Sequence, residues 1–195
     1  MTDFTLAGMT AMPPTPLLTI DDARAAGAAA GIPERVAQAN IMRFALRHPG
    51  VANVVAGMID VAVFHGALDA RLREIAILRV GWRIGSVYEW SNHVGVARGA
   101  GLTDAEILAV RTADAGVLSN ADLVAIRVVD DVLDATCVSD ATLADARDLL
   151  GDGDELLELV MIPAFYRAIG TMLRSFAVPL EDGLDPWAPD GHAPG

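Results

Sequence analysis

The 195-residue chain contains no lysine, one cysteine and few aromatic residues. Without lysine there is no amine for a Schiff base and no phosphate-binding P-loop lysine. A lone Cys137 cannot close an internal disulfide, and no cysteine cluster offers a zinc site. Aromatics at 5%, against abundant Ala and Leu, disfavour a β-sandwich and favour closely packed helices. All 14 basic residues are Arg, scattered among 26 acids, and the net charge of −12 excludes a nucleic-acid partner. Residues 1–19 lack the basic start and unbroken apolar core of a secretory leader. Apolar runs are interrupted by charge or Gly before the roughly 20 residues that cross a bilayer. The expectation is a soluble, cytoplasmic protein with no membrane partner.

What is present is apolar: hydrophobic residues make up 53% of the chain and charged residues 21%. That balance implies a generous core or an extensive subunit interface. No stretch alternates with period 2, so the fold class is all-α. The expected organisation is an extended arm over residues 1–19, a single helical domain over 20–178 and a surface tail over 179–195. Thr19 or Asp21 caps a helix over 22–30, stopped by Gly31-Ile32-Pro33. Further helices are expected over 34–46, 51–65, 68–84 and 88–98. Thr103 and Glu106 form a capping box. Ser119 and Ser139 cap helices over 120–135 and 140–150, and a last helix over 155–176 is expected to kink at Pro163. Cys137 reads as a small core or boundary residue, and His48 as a helix C-terminal residue facing the dipole.

The informative segment runs from Glu74 to His93 and reads Glu-(x)11-Ser-x-x-Glu-x-x-x-His, with Ser86 and Glu89 between. Its polar members sit among Ile, Leu, Val and Trp, where unpaired titratable groups are costly and their pKa values movable. On a helical wheel Glu74 shares a face with Ile77, Leu78, Gly81 and Gly85, while Arg79 and Arg83 lie nearly opposite. Glu89 and His93, four apart, are neighbours on the next helix. A short connection makes the two helices an antiparallel pair, which directs Glu74 toward Glu89 and His93. Two carboxylates and one imidazole in an apolar recess are equipped for proton transfer near neutral pH. A common i,i+4 Glu–His pair, and a salt bridge from Glu74 to Arg71 or Arg73, would account for the same residues without catalysis.

Three segments, Asn40-Ile-Met-Arg-Phe-Ala-Leu-Arg-His-Pro49, Leu72-Arg-Glu-Ile-Ala-Ile-Leu-Arg79 and Tyr88-Glu-Trp-Ser-Asn-His93, with the run through Ile107, resemble the carboxymuconolactone decarboxylase and alkylhydroperoxidase D-like superfamily. The resemblance spans residues 35–175. Peroxidase members carry Glu-(x)11-Cys-x-x-Cys-x-x-x-His, whereas Ser86 and Glu89 stand where both thiols belong. A serine cannot pass through a sulfenate to a disulfide, so Cys-dependent peroxidase chemistry is disfavoured. The resemblance implies a helical AhpD-like subunit in an obligate homo-oligomer, a trimer or hexamer, with pockets near subunit contacts. It also implies a lyase without a cofactor, acting on a small carboxylated lactone or ring compound of the kind met in aromatic compound degradation. In that reading Glu74, Glu89 and His93 are catalytic. Arg71 and Arg73 seat the substrate carboxylate, and Ser86, Tyr88 and Trp90 line the pocket.

Two rival readings use the same residues. Glu74, Glu89 and His93, with His65 as a fourth, offer donors for a carboxylate/His metal site in a helical bundle. An oligomer that binds a small molecule without turning it over fits the apolar composition equally well.

Overall fold

The computed structural model describes residues 15–195, so most of the expected N-terminal arm lies outside the described residues. Among them the chain is helical without a strand: α1 (Ile20–Ala30), α2 (Glu34–Ala37), α3 (Asn40–Ala45), α4 (Pro49–Ile59), α5 (Ala70–Arg83), α6 (Val87–Gly99), α7 (Asp104–Ala109), α8 (Asn120–Ala135), α9 (Asp140–Leu150) and α10 (Asp154–Ser175). Helix starts follow local side-chain chemistry. Thr19, Asp69, Ser86 and Ser139 each accept a hydrogen bond from a first-turn N–H. Thr103 with Glu106, and Ser119 with Asp122, complete capping boxes.

Several expectations are corrected. The helix over 34–46 is two, because Gln38 and Ala39 interrupt it. The helix over 51–65 starts at Pro49 and loosens after Ile59 into a π-helical turn (Asp60–Phe64). His48 is the N-cap of α4, its Nδ1 accepting from the Val51 N–H, and not a C-terminal residue. Cys137 is exposed in the turn after α8, not in the core or at its edge. Apart from these corrections, Pro163 lies inside an unbroken α10, the helix expected to kink there. At 22 residues it is also long and apolar enough to cross a membrane. Its buried residues Leu159, Ile162, Tyr166, Ile169 and Leu173 show the alternative use of such a helix, as the spine of a bundle.

Helices α5 and α10 organise two hydrophobic clusters. The larger gathers α5, α6, α8 and the first half of α10 around Ile75, Leu78, Trp90, Ile107, Val128 and Leu159. The smaller packs α1 to α4 against Tyr88 and the second half of α10, at Ile169 and Leu173. Arg79 and Arg83, on the α5 face away from Glu74, meet charged partners: Asp130 of α8 bonds both, and Asp134 takes Arg83. The α5–α6 connection turns on Gly85, at φ +66°, a region that side chains with a Cβ rarely enter. Residues after Val178 run over the surface but are pinned. Glu181 bonds the Asn40 N–H, Asp190 pairs with Arg111, and Trp187 packs on Trp82 and Trp90.

Candidate active site

Glu74 sits in the middle of α5 with no exposed surface. Gly81, seven residues on, lies in contact with the backbone at Trp90, so α6 passes close to α5 there. The antiparallel return of α6 then carries His93 back to Glu74. The Glu74 carboxylate accepts from His93 Nδ1 at 2.7 Å through Oε2 and from Arg73 Nε at 3.1 Å through Oε1. Burial alone would raise the Glu74 pKa. The charge and hydrogen bond of His93, and then those of Arg73, outweigh it and hold the carboxyl below its ordinary value. An ionised carboxylate is a pure acceptor, so Nδ1 of His93 carries a proton. In the neutral ring Nε2 is then the acceptor, and the Tyr166 hydroxyl lies 3.2 Å from it. The two rings meet edge to face with centroids 5.2 Å apart.

Glu89 takes the opposite course. It lies one helical turn before His93 on the same face, fully buried, yet neither carboxylate oxygen has a hydrogen-bond partner among the described residues. Its neighbour is the backbone of α10: a Cβ at Gly170 would stand 2.7 Å from Oε2 and 2.4 Å from Ile84 Cδ1. Only glycine lets the helices approach this closely, so the acid is wedged against α10. Burial pushes its pKa up to about 8, with Ser86, Arg174 and the Gly170 backbone pulling weakly the other way. It is a neutral acid at pH 7. The pairings Glu89–Gly170 and His93–Tyr166 set α6 antiparallel to α10 at this contact.

Of the residues singled out in the sequence, Glu74, His93 and Arg73 are brought into contact, and Glu89 and Ser86 lie a turn or more away. Ser86 is the buried N-cap of α6, accepting from the Glu89 N–H at 3.5 Å. Three residues expected to face substrate are committed elsewhere. Arg71 is held by Asp122, at 2.8 and 3.0 Å, and by Glu106 at 2.6 Å, in a network tying α5 to α7 and α8. These bonds, Asp122 foremost, raise its pKa further. Tyr88 points into the smaller cluster, donating to Glu181 and accepting from the Ile41 N–H at 3.1 Å. Trp90 is core, stacked near Trp82 and Arg111, with its indole N–H given to the Ala188 carbonyl. Tyr88 and Trp90 adjoin Glu89 in sequence yet face elsewhere, because successive helical positions point about 100° apart.

Tyr166 went unnoticed, being 73 residues from His93 in the chain. A signal existed: it falls on the same α10 stripe as Leu159, Ile162, Ile169 and Gly170, and a buried phenol requires a partner. Among the described residues no group of three His, Cys, Asp or Glu is arranged to hold a metal ion. His65 is exposed and bonds Asp60.

Residues 49–131 match the carboxymuconolactone decarboxylase family. The matched stretch holds Arg73, Glu74, Glu89 and His93; Tyr166 lies beyond it. No curated protein sequence matches the chain. The fold is similar to a crystal structure described as an alkylhydroperoxidase AhpD core, an uncharacterized peroxidase-related protein from Ralstonia eutropha JMP134. The TM-score is 0.70 over 88% of this chain and 95% of that one, at 16% identity. At that identity the likeness speaks for the fold alone.

Proposed function

From a chain whose residues 49–131 match the carboxymuconolactone decarboxylase family and whose fold is similar to an AhpD core, we propose a cofactor-free acid–base enzyme. Its substrate is a small carboxylated lactone or related ring compound, and its reaction is decarboxylation or the proton transfer that accompanies it. The observation that carries this reading is the Glu74–His93 pair. A fully buried carboxylate fixes one imidazole nitrogen, while the His93 side chain keeps 13% of its surface. Arg73 bonds the same carboxylate, keeps 14% of its side-chain surface, and gives only its Nε to Glu74. Its remaining N–H groups are a seat for a substrate carboxylate.

Loss of CO2 from such a ring leaves the bonding pair on an extended enolate, which must then receive a proton. A dry recess favours departure of the carboxylate, and an oriented imidazole is the source of the proton. Glu74 stabilises the imidazolium before transfer. Glu89, neutral at pH 7 and unconnected to the pair by hydrogen bonds, adds no competing charge.

A peroxidase reading, which the name of the Ralstonia protein raises, meets a chemical obstacle. Cys137 is the sole cysteine, and Ser86 and Glu89 cannot form a disulfide. The metal-site reading loses its donors, because Glu89 and His65 do not join Glu74 and His93. We also retain the homo-oligomer, a trimer or hexamer, and a cytoplasmic location. Support for assembly comes from the exposed Val51, Val54, Val61, Phe64, Leu157 and Met161 along α4, the π-helical turn and α10.

The test is turnover. Unsaturated five-membered lactones bearing a carboxylate are incubated with the protein at pH 7, and CO2 release is followed with ring absorbance. His93→Gln is expected to lower kcat about 100-fold or more with unchanged far-UV circular dichroism. Absence of turnover by the wild type on every such lactone, or wild-type rates from His93→Gln, overturns the proposal.

A further inference from the structure

The imidazole of His93 has two nitrogens, and both are engaged: Nδ1 by Glu74 at 2.7 Å and Nε2 by Tyr166 at 3.2 Å. A substrate reaches Nε2 only by displacing the phenol. The phenol itself, although buried, keeps unused hydrogen-bonding capacity. Having given its proton toward Nε2, its oxygen retains two acceptor positions and makes no other hydrogen bond to a described residue. We propose that Tyr166 is the group of this site that meets the reacting atom, and that Glu74 and His93 are the relay behind it. This rests on the acid–base reading above and names a catalytic residue outside the family-matched stretch.

The order carboxylate, imidazole, hydroxyl is that of a catalytic triad, with a phenol in the place of the alcohol. In the direction of proton removal, the Tyr166 O–H proton passes to Nε2 while the phenolic oxygen takes a proton from the substrate carbon. The C–H electron pair stays on the substrate, and the imidazolium formed is held by Glu74. In the direction of proton delivery, the imidazolium is the starting state. The carbon left with the electron pair after CO2 departs receives the Tyr166 proton, and the Nε2 proton replaces it on the phenol. Either way the phenol ends neutral. That matters because burial, reinforced by the charge of Glu74, holds the Tyr166 proton well above its ordinary range, so a standing phenolate is unfavourable and a coupled exchange is required.

Two measurements on the full chain test this. Histidine-15N spectra, with His93 assigned through His93→Gln, compare the wild type with Tyr166→Phe. The neutral ring is expected to carry its proton on Nδ1, and loss of the phenol is expected to move the Nε2 resonance and leave Nδ1–H in place. An unchanged Nε2, or a neutral ring protonated there, overturns the proposal. Should Tyr166→Phe fail to fold, 3-fluorotyrosine labelling keeps the shape and must still move that resonance. On the carboxylated lactones, Tyr166→Phe and His93→Gln are each expected to lose about 100-fold or more in kcat, and the double variant no more than either, since the two act as one unit. Wild-type kcat in Tyr166→Phe with loss in His93→Gln ends this inference and leaves the acid–base reading standing. If His93→Gln is unaffected, that reading falls, and the nitrogen spectra alone decide whether Tyr166 holds Nε2.

Discussion

Glu74 and Glu89 are two carboxyls on successive helices, equally removed from water, with opposite charge states. Glu74 meets an imidazole N–H and a guanidinium N–H and is held ionised. Glu89 meets the backbone of α10 at Gly170, finds no hydrogen bond among the described residues, and keeps its proton to about pH 8. The difference teaches that burial sets the penalty for charge while partners decide whether it is met. It also separates chemistry from architecture within one interface. The His93 end holds a charged, oriented proton-transfer pair, and the Gly170 end holds a neutral wedge.

Breaking the paired end has the largest expected effect. Glu74→Leu leaves the Arg73 and His93 groups without their acceptor, and urea unfolding at pH 7 is expected to show a loss of about 3–5 kcal/mol. The acid limb of stability responds in the same sense. Because folded Glu74 binds its proton less readily than the unfolded chain, its contribution is full above the ordinary carboxyl value of 4.5. It is lost as pH falls through the lower folded value. The pH–stability profile of Glu74→Leu should therefore lack this part of the acid transition.

At the other end, Gly170→Ala drives a methyl into Ile84 and Glu89, and thermal or urea unfolding should register a loss of about 1–3 kcal/mol. Glu89→Gln acts in the opposite direction. The unfolded chain releases the Glu89 proton near 4.5 while the fold retains it to about 8, so stability declines as pH rises through that window. At 1.36 kcal/mol per unit over the roughly 3 units reached at pH 8, the neutral amide is expected to gain up to about 4 kcal/mol there and to flatten that decline. The smallest change belongs to the exposed thiol: Cys137→Ser should stay within about 0.5 kcal/mol of the wild type and leave turnover unaltered.

Much of this was legible in the sequence for identifiable reasons. Helices α8 and α9 were bounded by Ser119 and Ser139, whose capping roles are local. Glu74 and His93 could be brought together because Gly81 marks a close helix approach and the α5–α6 connection is short. The contribution of Tyr166 depends on α10 packing back onto α6, a long-range event without a local signature. The partners of Arg71 could not be read locally, because Asp122 and Glu106 come from two later helices. Those of Tyr88 and Trp90 could not either, because the tail supplies Glu181 and the Ala188 carbonyl that hold them. His48 was read at the wrong end of its helix because Pro49 stops one helix and starts the next equally well.

The most direct measurement is a carboxyl-carbon NMR titration of the full chain, with Glu74 and Glu89 assigned through their Gln variants. One resonance, that of Glu74, is expected to titrate below the ordinary 4.5, and another, that of Glu89, near pH 8. Two carboxyls titrating together near 4.5, or Glu74 protonated at pH 7, would contradict the account.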